Sequence, residues 1–293
     1  MSTNDNTCAN CGEENSGDLK ACTACKLVKY CNRECQIAHR PQHIKACKKR
    51  AAELHDEALF KDPPPPEECP ICMLPPPVYE DHTGSTFHSC CGKRICNGCE
   101  YAMRDTGSKN LELCPFCKTP PENSDKGEIK SMKKLMEKGN AGAFHQLGYC
   151  YYRGSMGMPQ DQAKANELYL KAGELGHAGA YYNLGNTYNN GRGVEVDKKK
   201  AKHYYELAAM NGSVHARNNL GCMEGKAGNH QRAMKHLLIS ARAGYKPSLG
   251  LVKKGYMLGD VTKEEYANTL RAYQKIQDET KSDARDKAQA RIS

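Results

Sequence analysis

Fifteen of the seventeen cysteines in this 293-residue chain fall within its first 117 positions. Most arrive as pairs with a two-residue gap: Cys8/Cys11, Cys22/Cys25, Cys69/Cys72, Cys96/Cys99 and Cys114/Cys117. A C-x-x-C step lets a tight turn aim two thiolates at one tetrahedral ion at about 2.3 Å, so a row of such pairs predicts several structural zinc sites. A disulfide framework is the rival for the same pattern. The polar opening residues, Met-Ser-Thr-Asn-Asp-Asn-Thr, offer no apolar signal segment, which favours a reducing compartment and metal thiolates over cystine bridges.

The length allows two or more domains, and composition changes abruptly along it. Beyond position 117 only Cys150 and Cys222 remain, and Ala, Gly, Tyr, Leu and Asn take over. No stretch approaches the roughly 18–20 apolar residues that cross a bilayer, so the expectation is a soluble protein of the cytoplasm or nucleus. The formal charge of +9 points towards an acidic partner only while the thiols count as neutral. Fifteen thiolates around four divalent ions bring it to about +2. The remaining basic runs, Lys48-Lys49-Arg50 and Lys198-Lys199-Lys200, are short enough to be solvated helix faces. With no basic stripe carrying stacking aromatics, nucleic acid is not an expected partner.

Two breaks divide the chain. Pro63-Pro64-Pro65-Pro66 is a semi-rigid extended spacer, and 119–128 is a polar linker rich in Pro, Asn, Ser, Asp and Gly. The expected architecture is multidomain: two small zinc-stabilised modules followed by an all-α helical-repeat solenoid. The boundaries read 7–50 for the first module, with a helix over 39–60, then a proline-rich linker at 61–66 and the second module at 67–119. A linker at 120–130, repeats over 131–274 and a charged, fraying helical tail at 275–293 complete it.

The first module offers Cys8-x-x-Cys11, Cys22-x-x-Cys25, Cys31-x-x-x-Cys35 and His43-x-x-x-Cys47, enough to close two tetrahedral sites. Residues four apart stack on one helical face, so the last two pairs belong to helical turns; a different helix phase would present His39 instead of His43. A segment this short buries little apolar surface, and metal must supply most of its folding free energy. Protein fills every ligand position, leaving none for a catalytic water. Tyr30-Cys31-Asn32-Arg33-Glu34-Cys35-Gln36, followed by His43 and Cys47, resembles the MYND zinc finger. The resemblance implies interleaved sites, with Cys8, Cys11, Cys31 and Cys35 on one zinc and Cys22, Cys25, His43 and Cys47 on the other. It also implies a groove for short proline-containing peptides, where Gln36 matches; the family's usual tryptophan falls on Arg40, and this chain has no Trp.

The second module runs Cys69-Pro70-Ile71-Cys72, Cys90-Cys91, Cys96-x-x-Cys99 and Cys114-Pro115-Phe116-Cys117, again eight sulfurs for two ions. C-P-I-C and C-P-F-C around a central C-G-x-x-x-C-x-x-C resemble a RING finger. That resemblance implies Cys69, Cys72, Cys96 and Cys99 on one zinc and Cys90, Cys91, Cys114 and Cys117 on the other. Lys93 stands where a histidine ligand often occurs, so adjacent Cys90 and Cys91 must both serve unless His82 or His88 substitutes for one. The family reading implies a docking surface for a ubiquitin-conjugating enzyme, which is accelerated by positioning without a covalent intermediate. Ile71 then matches the apolar contact, Pro115 a supporting surface, and Lys118 the cation that pins ubiquitin. The plainer reading makes Ile71 and Phe116 the cover of a small core and Lys118 a solvated lysine.

After Gly139 the chain aligns with itself. Ala143-Phe144-His145-Gln146-Leu147-Gly148 recurs as Ala180-Tyr181-Tyr182-Asn183-Leu184-Gly185, 37 residues on, and as Ala216-Arg217-Asn218-Asn219-Leu220-Gly221 after a further 36. Ala165, Ala201 and Ala233 correspond, as do Gly176, Gly212 and Gly244. A period in the middle thirties signals stacked helical hairpins. Leu-Gly-x-x-Tyr, Gly-x-Gly-Val, Asp-x-x-x-Ala and Ala-Ala-x-x-Gly resemble Sel-1-like repeats, relatives of tetratricopeptide repeats. Small residues at Gly148, Gly185, Gly221, Ala165, Ala201 and Ala233 let helices approach closely, while Leu147, Leu184, Leu220, Leu168 and Leu207 fill the seam. A degenerate fourth unit over 248–273 caps the stack. Tyr149, Tyr151, Tyr152, Tyr181, Tyr182, Tyr188, Tyr204 and Tyr205 divide between repeat core and a concave partner surface. Cys150 and Cys222 read as small buried hydrophobes.

No hydrolase triad, phosphate loop or paired carboxylates appear in a supporting motif. Three functions fit: a RING-type ubiquitin ligase whose MYND finger and repeats recruit substrate, a non-catalytic scaffold in which every module binds protein, and, as the weakest, a nucleic-acid-associated regulator. The combination resembles a group of MYND, RING-like and Sel-1-like proteins of diatoms and related algae.

Overall fold

The structure, a computed structural model, describes residues 7–14, 19–78, 84–105, 113–120 and 122–290. The chain separates into two compact units, Met1–Lys61 and Asp62–Ser293.

In the first unit a short antiparallel pair, β1 (Lys20–Ala21) and β2 (Lys29–Tyr30), sits beside the long helix α1 (Arg33–Leu59). Buried Cys8, Cys22, Cys25 and Tyr30 form its small core, so sulfur fills the interior that a larger domain would fill with hydrocarbon. The helix begins six residues earlier than the predicted position 39 and runs through Pro41. Asn32 explains the early start, because its side chain accepts the backbone N–H of Cys35 at 2.8 Å and caps the first turn.

The second unit opens with a hairpin of β3 (Ser85–Phe87) and β4 (Arg94–Cys96), in which Ser85 faces Cys96 and Phe87 faces Arg94. Helix α2 (Asn97–Asp105) follows at once. Ile95, wholly buried between Cys69 and Cys96, is the apolar centre of this module.

Helix α3 (Asp125–Glu137) starts inside the predicted linker. Ser124 caps it by accepting from Gly127, and Asp125 and Glu128 favour the positive end of its dipole. Four helix pairs then stack: α4 (Ala141–Arg153) with α5 (Gln162–Glu174), α6 (Ala178–Asn190) with α7 (Lys198–Met210), α8 (Val214–Lys226) with α9 (His230–Arg242), and α10 (Lys246–Leu258) with α11 (Lys263–Thr280). Asn140, Asp161, Asp197 and Ser213 cap four of these helices with side-chain oxygens. Gly176, Gly212 and Gly244 close successive units at φ 91°, 95° and 93°, a left-handed conformation that glycine adopts without steric cost.

Packing within each pair is set by the recurrent glycine of the first helix. A Cβ on Gly148 would stand 2.9 Å from the Tyr169 ring, one on Gly221 2.7 Å from Leu237, and one on Gly185 would collide with the Tyr205 ring. Leu147, Leu184, Leu220 and Leu168 are buried, but Leu207 is only half-buried. The interior place at that level belongs to Tyr205, as it does to Tyr169 and Leu237 in the neighbouring units. The bulky partner is thus an aromatic or leucine laid over a glycine. Cys150 is buried beside Met156, whereas Cys222 is only partly covered. Of the tyrosines, Tyr151, Tyr152, Tyr181 and Tyr204 pack on the buried cluster, and Tyr149 is exposed.

After Thr280 the charged tail folds into α12 (Asp283–Ala290), which packs against α2 of the second cysteine-rich module.

Candidate metal centres

Five turns of the same backbone design carry most of the sulfur. Gly12, Lys26, Met73 and Lys118 each donate their N–H to the carbonyl four residues back, on Cys8, Cys22, Cys69 and Cys114, at 3.0, 3.0, 2.8 and 3.0 Å. Each of these four cysteines returns its own N–H to a carbonyl beyond the turn: Cys8 to Glu13, Cys22 to Val28, Cys69 to Leu74 and Cys114 to Thr119. The turns force a left-handed residue, and three are not glycine: Lys26 at φ 59°, Met73 at 56° and Lys118 at 56°. Such residues cost on the order of 1 kcal/mol each, which a bound ion can offset.

The fifth turn spans 88–93. Gly92 donates to His88 at 2.8 Å and His88 to Lys93 at 2.9 Å, so the backbone places His88 where the other turns have their first cysteine. Its ring does not join the sulfurs. Nε2 instead lies 3.2 Å from Glu100 Oε2, and His88 foremost holds the Glu100 carboxyl below its usual range. Cys90, from inside the turn, brings its sulfur together with those of Cys91, Cys114 and Cys117. His82 lies outside the described residues. His39 is likewise engaged elsewhere, with Nδ1 3.0 Å from the Tyr30 hydroxyl.

The sixteen candidate ligands gather in four groups: Cys8, Cys11, Cys31 and Cys35; Cys22, Cys25, His43 and Cys47; Cys69, Cys72, Cys96 and Cys99; and Cys90, Cys91, Cys114 and Cys117. Within each, all ligand atoms lie within 4.8 Å of one another. Helix α1 delivers Cys35 to the first group and His43 and Cys47 to the second; the β4–α2 junction delivers Cys96 and Cys99 to the third.

The spacing within the groups tests whether zinc fits. Sulfur pairs stand at 3.8 Å for Cys11–Cys31, 3.5 Å for Cys31–Cys35, 3.7 Å for Cys22–Cys47, 3.8 Å for Cys72–Cys96 and 3.7 Å for Cys91–Cys114. A tetrahedron with bonds of about 2.3 Å has edges of about 3.8 Å, whereas a disulfide would draw the atoms to about 2.05 Å. All these cysteines are free. His43 presents Nε2 3.2 Å from Cys25 Sγ, which suits a mixed nitrogen and sulfur site.

Electrostatics point the same way. Burial raises the Cys8, Cys22 and Cys69 thiols, but backbone N–H donors outweigh it and bring each to about 6. A side-chain hydrogen bond from Thr119 leads the causes that bring Cys117 to about 6. Their neighbours move oppositely: Cys31 rises to about 12 beside Cys35 and Cys8, Cys47 to about 11 through burial and Cys22, and Cys90 and Cys99 rise strongly through burial and adjacent sulfur. Each group therefore ionises one thiol readily and resists further anions, the behaviour of a cluster that needs a divalent cation to become fully thiolate.

Of the residues singled out for partner contact, Ile71 is 41% exposed on its turn, Lys118 is exposed and Pro115 is half-buried. Phe116 turns inward, packed on the Cys69, Ile95 and Cys96 cluster with Lys93 Nζ 5.3 Å from its ring centroid. On α1, Gln36 is half-buried and Arg40 exposed.

One contributor to these centres is absent from any motif. Arg285 of α12 is 4% exposed and places Nη2 3.4 Å from Cys72 Sγ. A lone arginine in a polar tail carries no signal of its own; Gly98, in the gap of Cys96-x-x-Cys99, marks only that something approaches closely there.

These features define a zinc-binding protein with cysteine-rich modules ahead of a helical-repeat solenoid. The MYND finger family model matches residues 8–47, and the Sel1 repeat model matches 143–177, 178–213 and 214–245, so the chain carries a MYND finger and three Sel1 repeats. It is 33% identical over 110 residues to the ERAD-associated E3 ubiquitin-protein ligase component HRD3B of Arabidopsis thaliana, covering 37% of this chain and 17% of that protein. It is 40% identical over 73 residues to the E3 ubiquitin-protein ligase DA2 of the same plant, covering 25% of this chain and 16% of DA2. The chain thus spans less than a fifth of the length of either relative. Among solved structures, c5321, a protective antigen of uropathogenic Escherichia coli displaying an SLR fold, is 30% identical over 52% of this chain and 33% of its own, with a TM-score of 0.44.

Proposed function

We propose that this protein is a RING-type ubiquitin ligase that holds four zinc ions and recruits its substrate through the MYND finger and the Sel1 repeats. Zinc shapes both cysteine-rich modules, two ions in each, on the four ligand groups described above; it is structural, since protein donors fill every position. The ligase reading rests on the turn between Cys69 and Cys72, where Ile71 is held out to solvent while Phe116 and Ile95 supply the core. An apolar side chain displayed on a rigid metal turn suits a small, repeatedly used docking contact. In this reading a ubiquitin-conjugating enzyme meets Ile71 and Pro115, and Lys118 steadies the ubiquitin it carries. Catalysis comes from orienting the thioester, with no covalent intermediate on this chain. Two relatives whose names include E3 ubiquitin-protein ligase add support.

Self-ubiquitination against a panel of conjugating enzymes is the test. Ile71→Ala and Cys69→Ala are each expected to reduce it at least tenfold, the first without loss of zinc. Activity unchanged by both substitutions, or absent with every conjugating enzyme, would leave the scaffold reading, in which the same modules only assemble proteins.

A further inference from the structure

Arg285 is a buried cation, 4% exposed. Nη1 donates to the carbonyls of Pro75 at 2.8 Å and Thr280 at 2.7 Å, and Nη2 to that of Leu74 at 3.3 Å and to Cys72 Sγ at 3.4 Å. Among the described residues no Asp or Glu pairs with it. Burying a guanidinium demands a counter-charge, and the adjacent source is sulfur. Four thiolates around Zn2+ leave a site charge of about −2, whereas four thiols leave none. Gly98 clears the way: a Cβ there would lie 2.5 Å from Arg285 Cγ and 2.8 Å from its backbone N.

We infer that Arg285 supplies the counter-charge to the Cys69/Cys72/Cys96/Cys99 centre, making α12 a latch that stays docked on α2 while that centre holds its metal. The hydrogen bond to Cys72 and the grip on the Leu74 and Pro75 carbonyls fix the turn that carries the first two ligands, as partners of metal ligands commonly do. Coupling is reciprocal: if docking raises the affinity of the centre for its metal, loss of metal must weaken docking by the same factor and expose the α2 face. The latch rests on zinc occupying this centre and is independent of ligase activity.

The test uses the zinc-loaded full-length protein. Arg285→Met is expected to speed transfer of one zinc equivalent to 4-(2-pyridylazo)resorcinol on the order of tenfold, leaving the other three unchanged. Arg285→Lys keeps the charge but loses the fork, and should fall between. Gly98→Ala displaces the arginine without altering any charge and should behave like Arg285→Met, which guards against a variant that misfolds. In the Co2+-substituted protein, losing the N–H···S contact should move a thiolate-to-cobalt charge-transfer band to lower energy, a change that packing alone would not cause. Hydrogen exchange of α12 should accelerate in both variants. If the wild type carries no zinc on these four cysteines, the zinc reading itself fails. If zinc is there, but release, band position and α12 exchange are unaltered in Arg285→Met and Gly98→Ala, the latch is overturned and the zinc reading stands.

Discussion

His236 shows how far a single residue can be read. It is wholly buried in α9, where burial foremost, helped by the positive charge of Arg217 and Arg232, lowers its pKa to about 3. Unfolded, it would titrate near 6.5. Between those values the unfolded chain binds a proton that the folded one refuses, so the stability held above pH 6.5 is lost progressively as pH falls towards 3. At pH 4.5 the loss is on the order of 2–3 kcal/mol. Acid titration of the helical circular dichroism signal is expected to show a shallower decline for His236→Gln than for wild type; parallel curves would count against it. Nothing around position 236 in the sequence announces this, because burial of a polar side chain is decided by the neighbouring helices. The metal-ligand candidates are the opposite case. Two- and three-residue gaps between cysteines are local chemistry, visible without a fold. The place of His88 beside Glu100, outside the sulfur group, is not visible in the sequence, since it depends on Glu100 approaching from α2.

At the scale of elements, the repeat glycines make a sharper claim than the repeat leucines. Gly185→Ala must push the Tyr205 ring away and is expected to cost about 1–3 kcal/mol by overpacking. Gly250→Ala, in α10, meets nothing within 4 Å and is expected to stabilise by up to about 1 kcal/mol through helix propensity. Thermal unfolding of the two variants should move in opposite directions, and a shared sign would refute the close-approach account of the period. That period was legible because stacking demands the same small residue at the same place in every unit. Helices α1 and α3 start earlier than the hydrophobic pattern predicts because Asn32 and Ser124 each cap a turn that the pattern does not mark. Tyr205 taking the place expected of Leu207 is a question of helix phase, which only packing fixes.

The whole molecule joins two kinds of cohesion in one chain. On the proposed reading metal holds the cysteine-rich modules, whose small cores are largely sulfur, while the solenoid is held by repeated burial of Ala, Leu and Tyr. The long-range feature that sequence could not offer is α12, since its reason to fold lies about two hundred residues away, at Cys72 and Gly98. No helix among the described residues is long and apolar enough to cross a membrane. Stripping the metal is expected to abolish protection from hydrogen exchange in α1, α2 and α12 while leaving α4 to α9 protected; collapse of those helices together with the modules would contradict separate cohesion. The most direct measurement is zinc per chain, by plasma mass spectrometry on the purified, reduced protein with its free thiols titrated in parallel. Four equivalents, falling to none as the fifteen clustered thiols become titratable, is the predicted result. Two or fewer equivalents, or thiols already consumed as disulfides, would contradict it.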